Sequence, residues 1–100
     1  MNRHSSIPPM HPGELIREDI LPALGVSKTE LARSLGISRQ TLYDILNERQ
    51  PITVEMAVRF GKLFGNGPHF WIGMQQTFDL DIAEQTIDVS KIPTLSALVA

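Results

Sequence analysis

Apolar residues recur at spacings of three and four along most of this chain, and each recurrence is bracketed by a start or stop signal. The sharpest unit runs from Ser27 to Asn47 and reads S-K-T-E-L-A-R-S-L-G-I-S-R-Q-T-L-Y-D-I-L-N. Leu31, Ala32 and Leu35 form one stripe, Leu42, Ile45 and Leu46 form another, and Ile37 lies between them. Ser27 and Glu30 have the spacing of a capping box, with Val26 and Leu31 at staple spacing around it. Gly36 stands where the first stripe ends and the chain must turn sharply, a position that favours positive φ. Ser38 can cap the next helix, with Ile37 and Leu42 again at staple spacing. Two short helices joined steeply through a few residues make a helix-turn-helix. An ordinary helical hairpin with a solvated face is the plainer alternative. The coincidence of caps, turn and a small residue at the crossing, Ala32, argues against it.

The flanking pattern predicts three more helices and so an all-α, five-helix unit. Residues 1–10 carry no periodicity and read as a flexible arm. His11-Pro12-Gly13-Glu14 should open the first helix, with proline at its first position and Glu14 toward the positive end of the dipole. Leu15, Ile16, Ile20 and Leu21 supply its core stripe, and Arg17, Glu18 and Asp19 are expected to stay wet. Pro22 disfavours helical geometry at Leu21, so the helix is expected to end near there. After the turn Glu48–Pro51, Thr53 can cap a fourth helix whose Val54, Ala57, Phe60, Leu63 and Phe64 predict a buried face. Gly65-Asn66-Gly67 closes it. Pro68 opens a fifth helix, running to about Ile87, on which Trp71, Met74, Phe78 and Ile82 follow a spacing of three and four. That stripe reads as core packing, as part of a homodimer interface, or as both. Residues 11–87 thus form the domain, and 88–100 a tail that is apolar, partly β-branched and broken by Pro93. The tail reads as a short strand or an extended segment, and the pattern does not decide.

Composition narrows the class. One hundred residues, 42% hydrophobic and 20% charged, suit one globular domain with a modest core. The net charge of −2 argues against coating nucleic acid by bulk electrostatics. The charge is uneven: residues 1–62 hold eight Lys/Arg against seven Asp/Glu, and residues 63–100 hold one against four. A DNA reader with so little charge needs specific contacts, and two copies, to bind well. The absence of cysteine removes disulfides and thiolate metal sites and fits a reducing cytoplasm. No apolar run approaches the roughly 18–20 residues of a membrane span. The first residues lack an apolar signal core, so a cytoplasmic location is expected. His4, His11 and His69 form no paired-ligand motif, and there is no glycine-rich phosphate loop. No catalysis, metal or cofactor is therefore expected.

Several stretches together resemble a known family. They are His11-Pro12-Gly13-Glu14, the unit 27–47, Ile52-Thr53-Val54-Glu55-Met56-Ala57-Val58-Arg59, Phe70-Trp71-Ile72-Gly73-Met74-Gln75 and Phe78-Asp79-Leu80. Their order and spacing, over about residues 10–87, are similar to those of HigA-type antitoxins, within the Xre/Cro helix-turn-helix repressors. The departures are Phe78, where the family usually has tyrosine, and Gly67-Pro68, where it usually has a small polar cap. The resemblance implies a lambda-repressor-like fold. It also implies a homodimeric repressor of its own operon that neutralises a HigB toxin, a RelE-like ribosome-dependent mRNA endonuclease.

The residues support a DNA-reading face on their own terms. Arg39, Gln40, Tyr43, Asp44 and Asn47 are left facing outward on the second helix of the unit. That helix would lie in the major groove of double-stranded operator DNA, where base edges carry distinct donor and acceptor patterns. Arg39 can pair with guanine and Gln40 with adenine, while Tyr43 and Asn47 can add base or phosphate contacts. Ser38 with the neighbouring amides, and Lys28, suit phosphate, and Arg49 can anchor the backbone from the turn. Asp44 would repel phosphate, so it should face a cytosine amino group or pair with a neighbouring arginine. For any single one of these residues plain solvation is the alternative. Two other functions stay open. One is a stand-alone repressor without a toxin. The other is a protein-only inhibitor whose acidic Asp79, Asp81, Glu84 and Asp88 attract a basic partner, against the alternative of a solvated helix face.

Overall fold

A computed structural model describes residues 8–100. Most of the expected arm, residues 1–7, lies outside the described residues. The described chain is all-helical, with six helices and no strand. Helix α1 starts as Pro12–Leu15, winds as a π-helix through Ile16–Ile20 and returns to α geometry over Leu21–Leu24. Then come α2 (Lys28–Leu35), α3 (Arg39–Leu46), α4 (Val54–Phe64), α5 (Pro68–Thr86) and a one-turn α6 (Leu95–Leu98).

The caps form where the sequence places them. Ser27 and Glu30 complete a capping box on α2, Ser38 accepts from the Thr41 N–H on α3, and Thr53 accepts from the Met56 N–H on α4. Gly36 closes α2 at φ 72°, which lets the chain turn into α3 within two residues. The end of α1 departs from expectation. Leu21 is helical, at φ −59° and ψ −47°, although proline follows it, and the helix continues to Leu24. The π-helical turn accommodates this: the Leu21 N–H reaches back five residues to the Ile16 carbonyl, so the wider winding leaves room for the Pro22 ring and its missing donor.

Ile16, Leu31, Ala32, Leu35, Leu42, Ile45 and Leu46 join Ile52, Ala57, Phe60 and Trp71 in one buried cluster. Phe60 and Trp71 are completely buried, their rings meeting edge-on with centroids 5.5 Å apart. Trp71 donates to Asn66 Oδ1 at 2.8 Å, so its one polar atom is satisfied inside the chain. Trp71 is therefore core, with no surface left for a second copy to touch. On α4 the buried face is Ala57, Phe60 and Gly61. Val54 and Leu63, expected there, are exposed: Val54 is 71% exposed although Ala57 in the same turn is buried, and Leu63 lines an open groove with Leu24 and Val26. The tail also differs. Thr94 caps α6 by accepting the Ala97 N–H, and leucine and alanine after Pro93 favour a helical turn over a strand.

Helix α1 meets α3 backbone to backbone. A Cβ at Gly13 would overlap the Ile45 carbonyl oxygen, so only glycine allows this approach. Gly73, inside α5, has nothing within 4 Å of an added Cβ. Gly13→Ala should therefore lower the unfolding free energy by about 1–3 kcal/mol through overpacking. Gly73→Ala should raise it by roughly 0.5–1 kcal/mol through helix propensity. Denaturant melts of the two variants check this, and equal midpoints would refute the close approach.

Candidate nucleic-acid interface

The outward face of α3 is assembled largely as expected, with its residues in three different states. Arg39 is exposed and makes no hydrogen bond or ion pair with the described residues. Gln40 Nε2 donates to Asp44 Oδ1 at 2.9 Å, and Arg49 Nη1 stands 3.8 Å from the same oxygen. Asp44 thus stands beside a neighbouring arginine, one of the two roles expected of it. Gln40 must exchange an exposed hydrogen bond, worth little net, to reach a base. Lys28, at the start of α2, places its ammonium 5.4 Å from the centroid of the Tyr43 ring, a cation–π contact between the two helices. Ser38 is less available than expected. Its hydroxyl accepts the Thr41 N–H at 3.0 Å and donates to Thr41 Oγ1 at 2.9 Å, so backbone amides are what α3 offers an anion at that end. Asn47 is exposed at the C-cap of α3. On a helix, positions 39, 40, 43 and 47 share one side, so Arg39, Gln40, Tyr43 and Asn47 form a strip along α3.

Two arginines that sequence reasoning missed hold this face in place. Arg17 was expected to stay wet. Its Nη1 instead donates to the Leu46 carbonyl at 2.6 Å, while the guanidinium also meets Glu18 at 2.8 Å and Glu48 at 3.4 Å. Arg59 Nη1 donates to the Leu35 carbonyl at 2.9 Å and to that of Gly36 at 3.4 Å, and its other nitrogens rest on Glu55. Each arginine thereby satisfies carbonyls that a helix end leaves without an internal partner. The Glu55–Arg59 spacing was a visible local signal. The reach to a turn 24 residues away was not, because only tertiary packing creates it.

Two buried polar side chains fix the loop that leaves α3. His11 Nδ1 accepts the Gly13 N–H at 2.8 Å, its ring is hydrogen-bonded to the Gln50 backbone, and Phe78 packs edge-on at a centroid distance of 5.0 Å. Gln75 Oε1 accepts the Ile52 N–H at 2.7 Å, and its Nε2 donates to Asp79 at 2.9 Å. Burial pushes the His11 imidazole below its ordinary pKa of 6.5, against the opposing pull of Glu48, Asp79 and the Gln50 carbonyl. Of the candidate dimer residues on α5, Met74 and Phe78 are half-buried and Ile82 is 46% exposed. Among the described residues no group of three or more His, Cys, Asp or Glu is placed to hold a metal ion. No helix there is long and apolar enough to cross a membrane.

Comparison with known proteins places this arrangement among DNA-binding relatives. The helix-turn-helix family pattern matches residues 16–72. Virulence-associated protein I of Dichelobacter nodosus is 37% identical over 81 residues, covering 81% of this chain and 75% of the relative. Antitoxin GraA superposes with a TM-score of 0.82 at 36% identity, over 89% of this chain and 99% of its own, and has also been solved in complex with its operator. Pseudomonas aeruginosa antitoxin HigA, solved with the higBA promoter, superposes with a TM-score of 0.75 at 33% identity, over 87% and 99%.

The buried histidine gives the fold a pH dependence of defined sign. A folded-state pKa below the unfolded value of about 6.5 means that the folded state prefers the neutral ring. That stabilisation is complete above pH 6.5 and is lost as pH falls through the depressed value. Unfolding midpoints should drop across that range. In His11→Asn, where the cap acceptor is kept and the titrating ring removed, the drop should be shallower. Parallel pH profiles for the two proteins would contradict this.

Proposed function

The chain belongs to the Xre-type helix-turn-helix family, with HigA-type antitoxins among its relatives, and from that premise we propose that it is an antitoxin with two tasks. As a homodimer it represses its own operon by reading the major groove. As an inhibitor it neutralises a HigB-like mRNA endonuclease toxin. It catalyses nothing itself and works in the cytoplasm. The observation that carries the DNA half is the exposed strip of α3, whose opposite side and both ends are fixed by Gly13, Arg17 and Arg59.

The division of labour follows from the contacts. Arg39 reads guanine N7 and O6, since its guanidinium has no competing partner among the described residues. Gln40 reads adenine after leaving Asp44. Tyr43 and Asn47 contact the adjacent base edges or sugar-phosphate. Lys28, Arg49 and the amides at residues 38–40 hold phosphates and set the register. A single copy of so nearly neutral a protein binds weakly, so pairing two recognition helices supplies the affinity. In this reading α5 forms the dimer contact through Met74, Phe78 and Ile82, and Trp71 acts from below by seating α5 on α4. The two half-sites then lie about one helical turn apart, roughly 34–36 Å.

Arg39→Ala should cost about 1–3 kcal/mol of specific binding and relax base preference at one position. Lys28→Ala should weaken binding nearly equally on all sequences and flatten the salt dependence by about one phosphate. Gel shifts on DNA from the chain's own promoter, with salt titrated, measure both. Unchanged affinity and preference in Arg39→Ala would remove its reading role. One chain per operator would refute the symmetric dimer. No shift at low salt would leave the protein-only inhibitor as the better reading.

A further inference from the structure

Beyond Gln75 no residue of the chain is buried, and every residue from 84 to 100 is exposed. This outer stretch is nonetheless rich in large apolar side chains. Leu80, Ile87, Val89, Ile92, Leu95 and Leu98 are between 58% and 74% exposed. Six large apolar side chains more than half exposed on one stretch of chain exceed singly scattered surface hydrophobics, and such concentrations mark interaction sites. The surface has relief. Leu80, Ala83, Glu84, Ile87 and Val89 line a shallow groove of about 460 Å3 where the end of α5 meets the following segment.

Charge says what fits there. Asp79, Asp81, Glu84 and Asp88 lie along this stretch, and Lys91 is the one lysine or arginine after Lys62. Asp79 is held by Gln75 and Asp88 caps the Ser90 N–H, while Glu84 stands at the groove itself. If a second copy of this chain covered the groove isologously about an axis at Glu84, that carboxylate would face its own copy, and like charges so placed oppose association. A partner with basic residues around apolar ones meets both features at once.

We propose that the side of α5 carrying Leu80, Ala83 and Glu84, opposite Phe78 and Ile82, and the segment through α6 form the docking surface for a basic protein, namely the toxin partner. The assignment rests on the antitoxin reading above. Apolar side chains at the groove and on α6 supply contact area, and Glu84 and Asp88 steer and orient the partner. The DNA-reading strip of α3 takes no part in it.

The test titrates the full-length chain with the purified product of the reading frame adjacent to its gene. Expected is binding that weakens with salt and falls at least tenfold in Glu84→Lys/Asp88→Lys. Lys91→Glu should bind at least as tightly as the unaltered chain. Ile87→Ser/Val89→Ser should also lose affinity, with its salt dependence unchanged. All variants should keep the native molecular mass by light scattering and the native operator shift. Equal toxin affinity in the charge-reversed and unaltered chains would overturn the surface and leave the antitoxin reading intact. Equal weakening by Lys91→Glu would overturn the electrostatic part. Loss of the dimer with toxin binding retained would assign the patch to a second copy. Failure of the unaltered chain to bind the product at all would sink the antitoxin reading, and this surface with it.

Discussion

The close approach of α1 to the carbonyl of Ile45 is the constraint on which the rest of this structure depends. With no side chain at Gly13, the first turn of α1 lies directly on the backbone of α3, the proposed recognition helix. That contact brings Arg17 to the Leu46 carbonyl and His11 to the Gln50 backbone. The end of the recognition helix and its exit loop are thus gripped from one side, while Arg59 grips the turn before that helix from the other. A reading helix earns specificity only if its side chains start from fixed positions, because each flexible contact must be ordered at binding. In the proposed DNA-reading role, that ordering is done by the fold before any DNA arrives.

Charge is distributed in the same spirit. Arg17 and Arg59 are cationic, yet both are committed to carbonyls and carboxylates within the chain. Arg49 stands by Asp44. Arg33, Arg39, Lys62 and Lys91 make no such commitment among the described residues, and of these only Arg39 stands on the α3 strip. In the proposed DNA-reading role, the net charge of −2 keeps affinity for arbitrary sequence low and leaves discrimination to a small number of base contacts.

What the sequence made legible was local. Ser27, Glu30, Gly36, Ser38 and Thr53 announce helix boundaries through neighbours three or four residues away, and each does in the fold what its spacing implied. The stripe positions Leu31, Ala32, Leu42 and Ile45 were equally plain, and so was the strip of polar residues on the recognition helix. What stayed hidden was created by packing across long separations. Nothing near Arg17 shows that its target is a carbonyl 29 residues later, and nothing near Gln75 shows that it will accept a backbone N–H from residue 52. Pro22 misled for a related reason. Its local preference is real, but a widened π-turn upstream absorbed it. The exposed Val54 shows the reverse: helical spacing identifies a face without saying which of its positions are covered.

The Gln75–Ile52 hydrogen bond also makes one amide an unusual clock. Most helix amides are released when their own turn frays. The Ile52 N–H is held by a side chain from a separate helix, within the buried layer. Its exchange with solvent deuterium requires α5 to lift from the body or the Gln75 side chain to swing away. That exchange rate therefore sets an upper limit on how often α5 detaches, and so on how loosely the outer part of the molecule is coupled to the loop after α3.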